Sequence, residues 1–244
     1  MRKRSGRLPT AGETRDVMKS FLAPIHPDGW KFVAGFVVVT LILFFVWEPL
    51  GWLGVIASLW CVYFFRDPWR VTPTRPGLVV SPADGLVVSI GPAAPPAELG
   101  MGPEPMTRIG IFLNVVDVHV NRTPMSGRVE KVAYHKGKFL NASFDKASDE
   151  NERMAIRLKT EEGPEIAFVQ IAGLVARRIV CHLSEGHQVV AGQRFGLIRF
   201  GSRTDIYLPT DWPPMVIVNQ RVIGGETVIA DARAQEPPRQ GVLH

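Results

Sequence analysis

Cysteine is scarce in this sequence: two in 244 residues, Cys61 inside a long apolar stretch and Cys181 far downstream. That scarcity excludes a disulfide framework and a thiolate metal site, and points to a reducing compartment. Histidine occurs six times and never as a His-x-His pair, so no metal centre is expected. Aromatic residues, at 9%, do not interleave with the basic ones, which argues against a nucleic-acid partner. Charged residues at 21% against 46% hydrophobic exclude a disordered chain. The length allows one substantial domain with appendages.

What the sequence does have is an uneven distribution of charge. Arg2, Lys3, Arg4, Arg7, Arg15, Lys19 and Lys31 precede the main apolar region, and Arg66, Arg70 and Arg75 follow it. An anionic membrane surface suits such flanks. Between them run "FVAGFVVVTLILFFVW" (32–47) and "LGWLGVIASLWCVYFF" (50–65), separated by Glu48-Pro49. A helix of 16 residues spans about 24 Å, somewhat less than the bilayer core of about 30 Å. Proline breaks the run, so a two-pass or re-entrant helical hairpin is expected over 32–65. Positive charge at both outer ends places both ends on the cytoplasmic face of the cell membrane. Residues 1–31 then form a basic N-terminal segment, and 66–244 a separate domain.

Beyond the linker "RDPWRVTPTRP" (66–76) the pattern turns to short β-branched runs punctuated by glycine and proline. "GLVV" at 77–80 and 85–88 frames "SPAD", which suggests two strands joined by a tight turn. Further strands are expected at 108–116, 127–134, 153–159, 165–171, 187–190, 195–200 and 214–222. Helix is expected only near 143–152 and 174–181, and 91–106 reads as a Pro/Gly loop. The fold class is therefore mainly β with minor α, preceded by the hydrophobic hairpin.

Three stretches carry candidate chemistry: "SPADG" (81–85), "DVHVNRTP" (117–124) and "FGSR" (200–203). Singly, each has an ordinary explanation: a hairpin corner, a half-buried histidine, a strand end. Together they suit a self-cleavage. A serine hydroxyl can attack the carbonyl before it, and glycine leaves that carbonyl uncrowded and the backbone free to distort. An imidazole with a pKa of about 6.5 can take and return the proton. Gly201-Ser202 is the only Gly-Ser pair in the chain. Cleavage there would separate 1–201 from 202–244.

With "LNVVDVHVNRTPMSG", "GKFLNASFDKASDENER", "VQIAGLVARRIV" and "GQRFGLIRFGSRTDIYLP" in order, the chain resembles the phosphatidylserine decarboxylase family in its short, bacterial and archaeal form. The resemblance covers most of 66–232. It implies that Ser202 becomes a covalent pyruvoyl group after cleavage at Gly201, leaving a β chain 1–201 and an α chain 202–244 as a heterodimer. It assigns Asp84 and His119 as catalytic, and phosphatidylserine as the substrate, bound as a Schiff base and decarboxylated to phosphatidylethanolamine. One position departs: where longer members have a second histidine, this chain has Arg122, which cannot serve as a base. Arg122 is then a candidate for the phosphate or carboxylate of the substrate. His182 and His187 are expected to be structural, and "ARR" (176–178) to be solvated or to meet head groups.

A rival comes from "GHQVVAGQRFGLI" (186–198), whose glycine rhythm is that of lipoyl carrier domains and of certain zinc peptidases, and which suggests a lipoyl-like sandwich element. A carrier needs a lysine, and none lies beyond Lys159; the peptidase needs convergent histidines. A membrane-tethered binding module is the third alternative, and it would migrate as one uncut chain.

Overall fold

The computed structural model describes residues 23–142, 147–174, 178–199, 202–235, 237, 239, 241 and 242. The chain divides between Trp69 and Arg70 into two units.

The first unit is a pair of helices of 17 residues each, α1 (Trp30–Val46) and α2 (Glu48–Phe64). Trp47, in extended conformation, interrupts them, and Pro49 sits in the first turn of α2, where no N–H is needed. Small residues bring the helices close. A Cβ on Gly51 would stand 2.2 Å from Phe44, and one on Gly54 2.8 Å from Thr40 Oγ1. Thr40 gives its hydroxyl proton to Phe36 O (2.7 Å), so Ser58 Oγ donates across the pair to Thr40 Oγ1 at 3.0 Å. Close approach with a buried polar link is how helices associate where lipid removes the hydrophobic drive. The outer faces stay apolar: Phe45, Val46, Leu53, Ile56 and Leu59 are exposed. Residues Pro27–Val46 are long and apolar enough to cross a membrane by length and composition.

The named strands of the second unit all pair antiparallel. Its main sheet has eight strands in the order β12-β2-β3-β11-β7-β6-β5-β9. From edge to edge these are β12 (Arg221–Val222), β2 (Gly85–Ala93), β3 (Met106–Leu113), β11 (Ser202–Leu208), β7 (Glu165–Ile171), β6 (Arg153–Thr160), β5 (Gly127–His135) and β9 (Gln188–Val189). A second sheet joins β4 (Val120–Arg122), β10 (Arg194–Ile198) and β8 (Ile179–Cys181), and β1 (Leu78–Val80) pairs with β13 (Val228–Asp231).

Side chains alternate across β11, and both faces are covered. Ile206 and Leu208 enter a core with Ile109, Ile111, Phe168 and Phe195; Tyr207 enters the opposite one with Leu99, Val169 and Ile171. All seven residues of β11 are buried. The expected strands leave a gap from 201 to 213, yet "SRTDIYL" within it is a central strand. Its charges are tolerated because they meet one another. Arg203 Nε donates to Asp205 Oδ1 at 2.5 Å, Arg203 Nη2 to Ser89 Oγ at 2.8 Å, and Ser148 Oγ to Asp205 Oδ2 at 2.6 Å. Gly110 makes room, since a Cβ there would lie 2.3 Å from Arg203 Nη2. Arg203→Met is expected to cost about 3–5 kcal/mol in denaturant unfolding, with recovery when Asp205 is also replaced by Leu. An unchanged midpoint for the single variant would contradict this account.

Other expectations shift as well. Leu78–Val80 and Gly85–Ala93 do not form a hairpin; the first pairs with β13, the second with β3 and β12. The helix expected at 174–181 is in part strand β8, because Ile179–Cys181 completes the second sheet. Of the helix expected at 143–152, residues 143–146 lie outside the described ones, and among the rest α3 (Ala147–Glu150) is helical. Of 214–222 only Arg221–Val222 is strand. In 91–106 a 3₁₀ turn (Ala97–Leu99) buries Leu99 fully. Within 186–198, β9 serves the main sheet and β10 the second.

Candidate active site

Ser202 opens β11, opposite Leu113 of β3, while its neighbour Arg203 pairs with Ile171 of β7. The serine is fully buried, and its Oγ has no hydrogen-bond partner among the described residues. Gly201, the other half of the expected cleavage site, lies outside those residues, as do Phe200 and residues 175–177.

His119 immediately precedes β4 of the second sheet. β4 pairs with β10, Leu197 opposite Val120, and Ile198 N donates to His119 O at 3.3 Å. In the chain, Ser202 stands four residues beyond Ile198. The ring of His119 is buried, with Nδ1 2.9 Å from Asp117 O. A carbonyl oxygen only accepts, so Nδ1 carries the proton and Nε2 is the basic nitrogen. A backbone carbonyl thus sets the tautomer. Asp117 in turn is fixed by Asn114 N, which donates to Oδ2 at 2.9 Å, and by Arg221, which pairs with Oδ1. Sequence reasoning did not assign Asp117 a role, although it heads the quoted Asp-x-His.

The "SPADG" turn lies along the same strand. Arg122 N donates to Pro82 O at 2.8 Å, and Ser81 Oγ to Ala83 O at 2.6 Å. Asp84 accepts from Gly224 N at 2.8 Å and from Arg70 Nη2 at 2.6 Å. Gly85 follows because a side chain there would drive its Cβ to 2.2 Å from Phe112 O. Arg122 is buried, and its Nη1 donates to Gly192 O at 2.9 Å. Of the two spare histidines, His187 accepts from Ser184 N at 3.2 Å within its own turn. Burial raises the pKa of the Cys181 thiol, which leaves it a poor nucleophile.

Folding therefore gathers the 81–84 turn, residues 117–122 and the entry to β11. The class this defines is a β-domain that seals a hydroxyl and an imidazole inside it, since Ser202 and His119 are both buried. Comparison with known proteins agrees. The family model for phosphatidylserine decarboxylase matches residues 57–230. The chain is 59% identical over 226 residues to the phosphatidylserine decarboxylase proenzyme of Cereibacter sphaeroides, covering 93% of this chain and 97% of that one. It is 57% identical over 220 residues to the proenzyme of Paramagnetospirillum magneticum (90% and 92%). With that of Ruegeria pomeroyi it shares 57% over 212 residues (87% and 97%). The chain belongs to the phosphatidylserine decarboxylase family, whose proenzymes draw a pyruvoyl group from a serine and convert phosphatidylserine to phosphatidylethanolamine.

Proposed function

We propose that Ser202 is the serine that becomes the pyruvoyl group, with His119 as the base and Gly201-Ser202 as the bond that breaks. Ser202 Oγ attacks the Gly201 carbonyl carbon as its proton passes to His119 Nε2, and the peptide C–N bond breaks as nitrogen is protonated. The ester that results loses the Cα proton of residue 202 and expels the Gly201 carboxylate from Cβ. The dehydroalanine left behind takes up water and releases ammonia. The pyruvoyl carbonyl then supplies an amine-binding electrophile that takes up the electron pair left by carbon dioxide. His119 returns a proton to the carbon that lost carbon dioxide. Asp84, held between Arg70 and Gly224 in the turn whose Pro82 bonds β4, is the carboxylate of the set. Of its two candidate partners, phosphate and carboxylate, Arg122 supplies its fixed positive charge to the phosphate of the substrate.

The observation that carries this assignment is the fully buried Ser202 Oγ without a hydrogen-bond partner among the described residues. Intact mass measurement of the purified protein tests it: fragments 1–201 and 202–244 are expected, the smaller with a carbonyl in place of its amino terminus. A cut at any other bond would remove Ser202 from the mechanism.

The two products stay together as a heterodimer of β and α chains, and the sheet explains why. β11 lies between β3 and β7, β12 pairs with β2, and β13 pairs with β1, so each strand after the cut is held by strands before it. Arg75 and Asp231 add an ion pair across the same junction. Native size exclusion is expected to return both fragments in one peak, and 6 M guanidinium to separate them. Separation under native conditions would contradict the shared sheet.

The same proposal divides the chain into a basic segment (1–31), a membrane hairpin (32–65) and a decarboxylase domain (66–244). It sets the domain on the cytoplasmic face against anionic lipid and includes further dimerisation of the cleaved heterodimer. The lipoyl-like rhythm of 186–198 belongs to this domain as a turn-and-strand signature.

A further inference from the structure

Beside the buried Ser202 Oγ, three more side-chain atoms are buried without a hydrogen-bond partner among the described residues: Asn121 Nδ2, Gln170 Oε1 and Thr204 Oγ1. All four residues are fully buried. They are also neighbours. Thr204 of β11 stands directly opposite Gln170 of β7, and Gln170 Nε2 donates to Asn121 Oδ1 at 2.8 Å, across from the main sheet to β4. Gln170 Nε2 also lies 3.2 Å from Val180 O. Alternation along β11 puts Ser202 and Thr204 on one face, and Asn121 follows His119 by two residues along the chain. The cluster thus lies one pleat along from the reacting serine and from its base.

A buried polar group left unpaired is destabilising, and native proteins keep few of them. Three together, next to a reacting centre and joined by one amide–amide bond, indicate a site made for something else. The free atoms define it: a donor pair on Asn121 Nδ2, a hydroxyl on Thr204 and an acceptor on Gln170 Oε1. That set matches an amine beside a carboxylate.

We propose that Asn121, Gln170 and Thr204 form the subsite that takes the amino-carboxylate end of the head group, and so selects an amino-acid head group over a plain amine. Gln170 Oε1 accepts from the substrate nitrogen, and Asn121 Nδ2 and Thr204 Oγ1 donate to the carboxylate. The neutrality of the subsite suits the reaction. A guanidinium there would make charge-assisted hydrogen bonds about twice as strong to a carboxylate whose charge must disperse as it leaves. Amide and hydroxyl donors orient that carboxylate and hold it less tightly. The inference rests on the assignment of Ser202 above.

Two substitutions remove only free atoms. Thr204→Val deletes Oγ1, and Asn121→Asp keeps the acceptor for Gln170 Nε2 while replacing Nδ2 by an oxygen that repels a carboxylate. Cleaved enzyme is incubated with glycerophosphoserine or glycerophosphoethanolamine and cyanoborohydride, and the amine fixed to fragment 202–244 is weighed. The serine-to-ethanolamine capture ratio is expected to fall about tenfold in T204V, one hydrogen bond's worth. It should fall about a hundredfold in N121D, where like charges meet. Thr204→Ser should keep the native ratio. A general structural defect lowers both captures alike, so an unchanged ratio overturns the subsite while leaving Ser202 in place. Variants T204V and N121D that remain uncut while T204S cuts would likewise overturn it, assigning these groups to processing. No capture on 202–244 of the unaltered enzyme would instead strike at Ser202 itself.

Discussion

Ser202→Ala is expected to run as a single chain of 27.0 kDa, with no carbonyl and no decarboxylation above background. The loss is complete because one oxygen serves both as the nucleophile that cuts the chain and as the source of the group that accepts the substrate. The variant also reports on folding. Ser202 Oγ is buried without a hydrogen-bond partner among the described residues, and an unpaired buried hydroxyl destabilises by about 1–3 kcal/mol. Replacing it by a methyl should therefore leave thermal stability equal to or above that of an uncut reference chain. A Ser202→Ala protein that still cuts, or still releases carbon dioxide, would end the proposal; one that unfolds would contradict the burial argument.

His119→Ala should slow self-cleavage by about 10²–10⁴-fold, the usual contribution of a positioned general base. Whatever fraction does mature should then turn over slowly as well, since the same nitrogen returns the proton to substrate. Asp117→Asn makes the informative contrast. It retains the carbonyl that receives the Nδ1 proton and loses the carboxylate that pairs with Arg221, so its effect should be much the smaller. Time courses of cleavage after rapid dilution from denaturant measure both. Equal rates for His119→Ala and the unaltered chain would show that another group takes the proton, with Arg122 unable to do so.

Much of this was legible beforehand where a local rule decides. The helix pair stands within two residues of the apolar runs, because 34 residues with one charge admit few alternatives and Pro49 marks the break. Strands β3, β5, β6 and β7 emerge from their β-branched runs for the same reason. β11 was missed: "SRTDIYL" shows polar residues where a central strand should be apolar. What makes it a strand is a charge pair contributed by Arg203 and Asp205, with Ser89 and Ser148 brought from far along the chain. No window of ten residues contains that information.

The site divides along the same line. Residue order alone supplied a hydroxyl after a glycine, an imidazole in Asp-x-His and a hydrophobic anchor, since these depend on covalent neighbours and on runs of like polarity. Tertiary structure alone decided which nitrogen of His119 is basic, because the deciding oxygen belongs to a turn shaped by Asn114 and Arg221. It also decided that Asn121, Gln170 and Thr204 share one buried polar cluster. They sit on three strands drawn from distant parts of the chain, and only the pairing of those strands brings amide and hydroxyl within reach of one another.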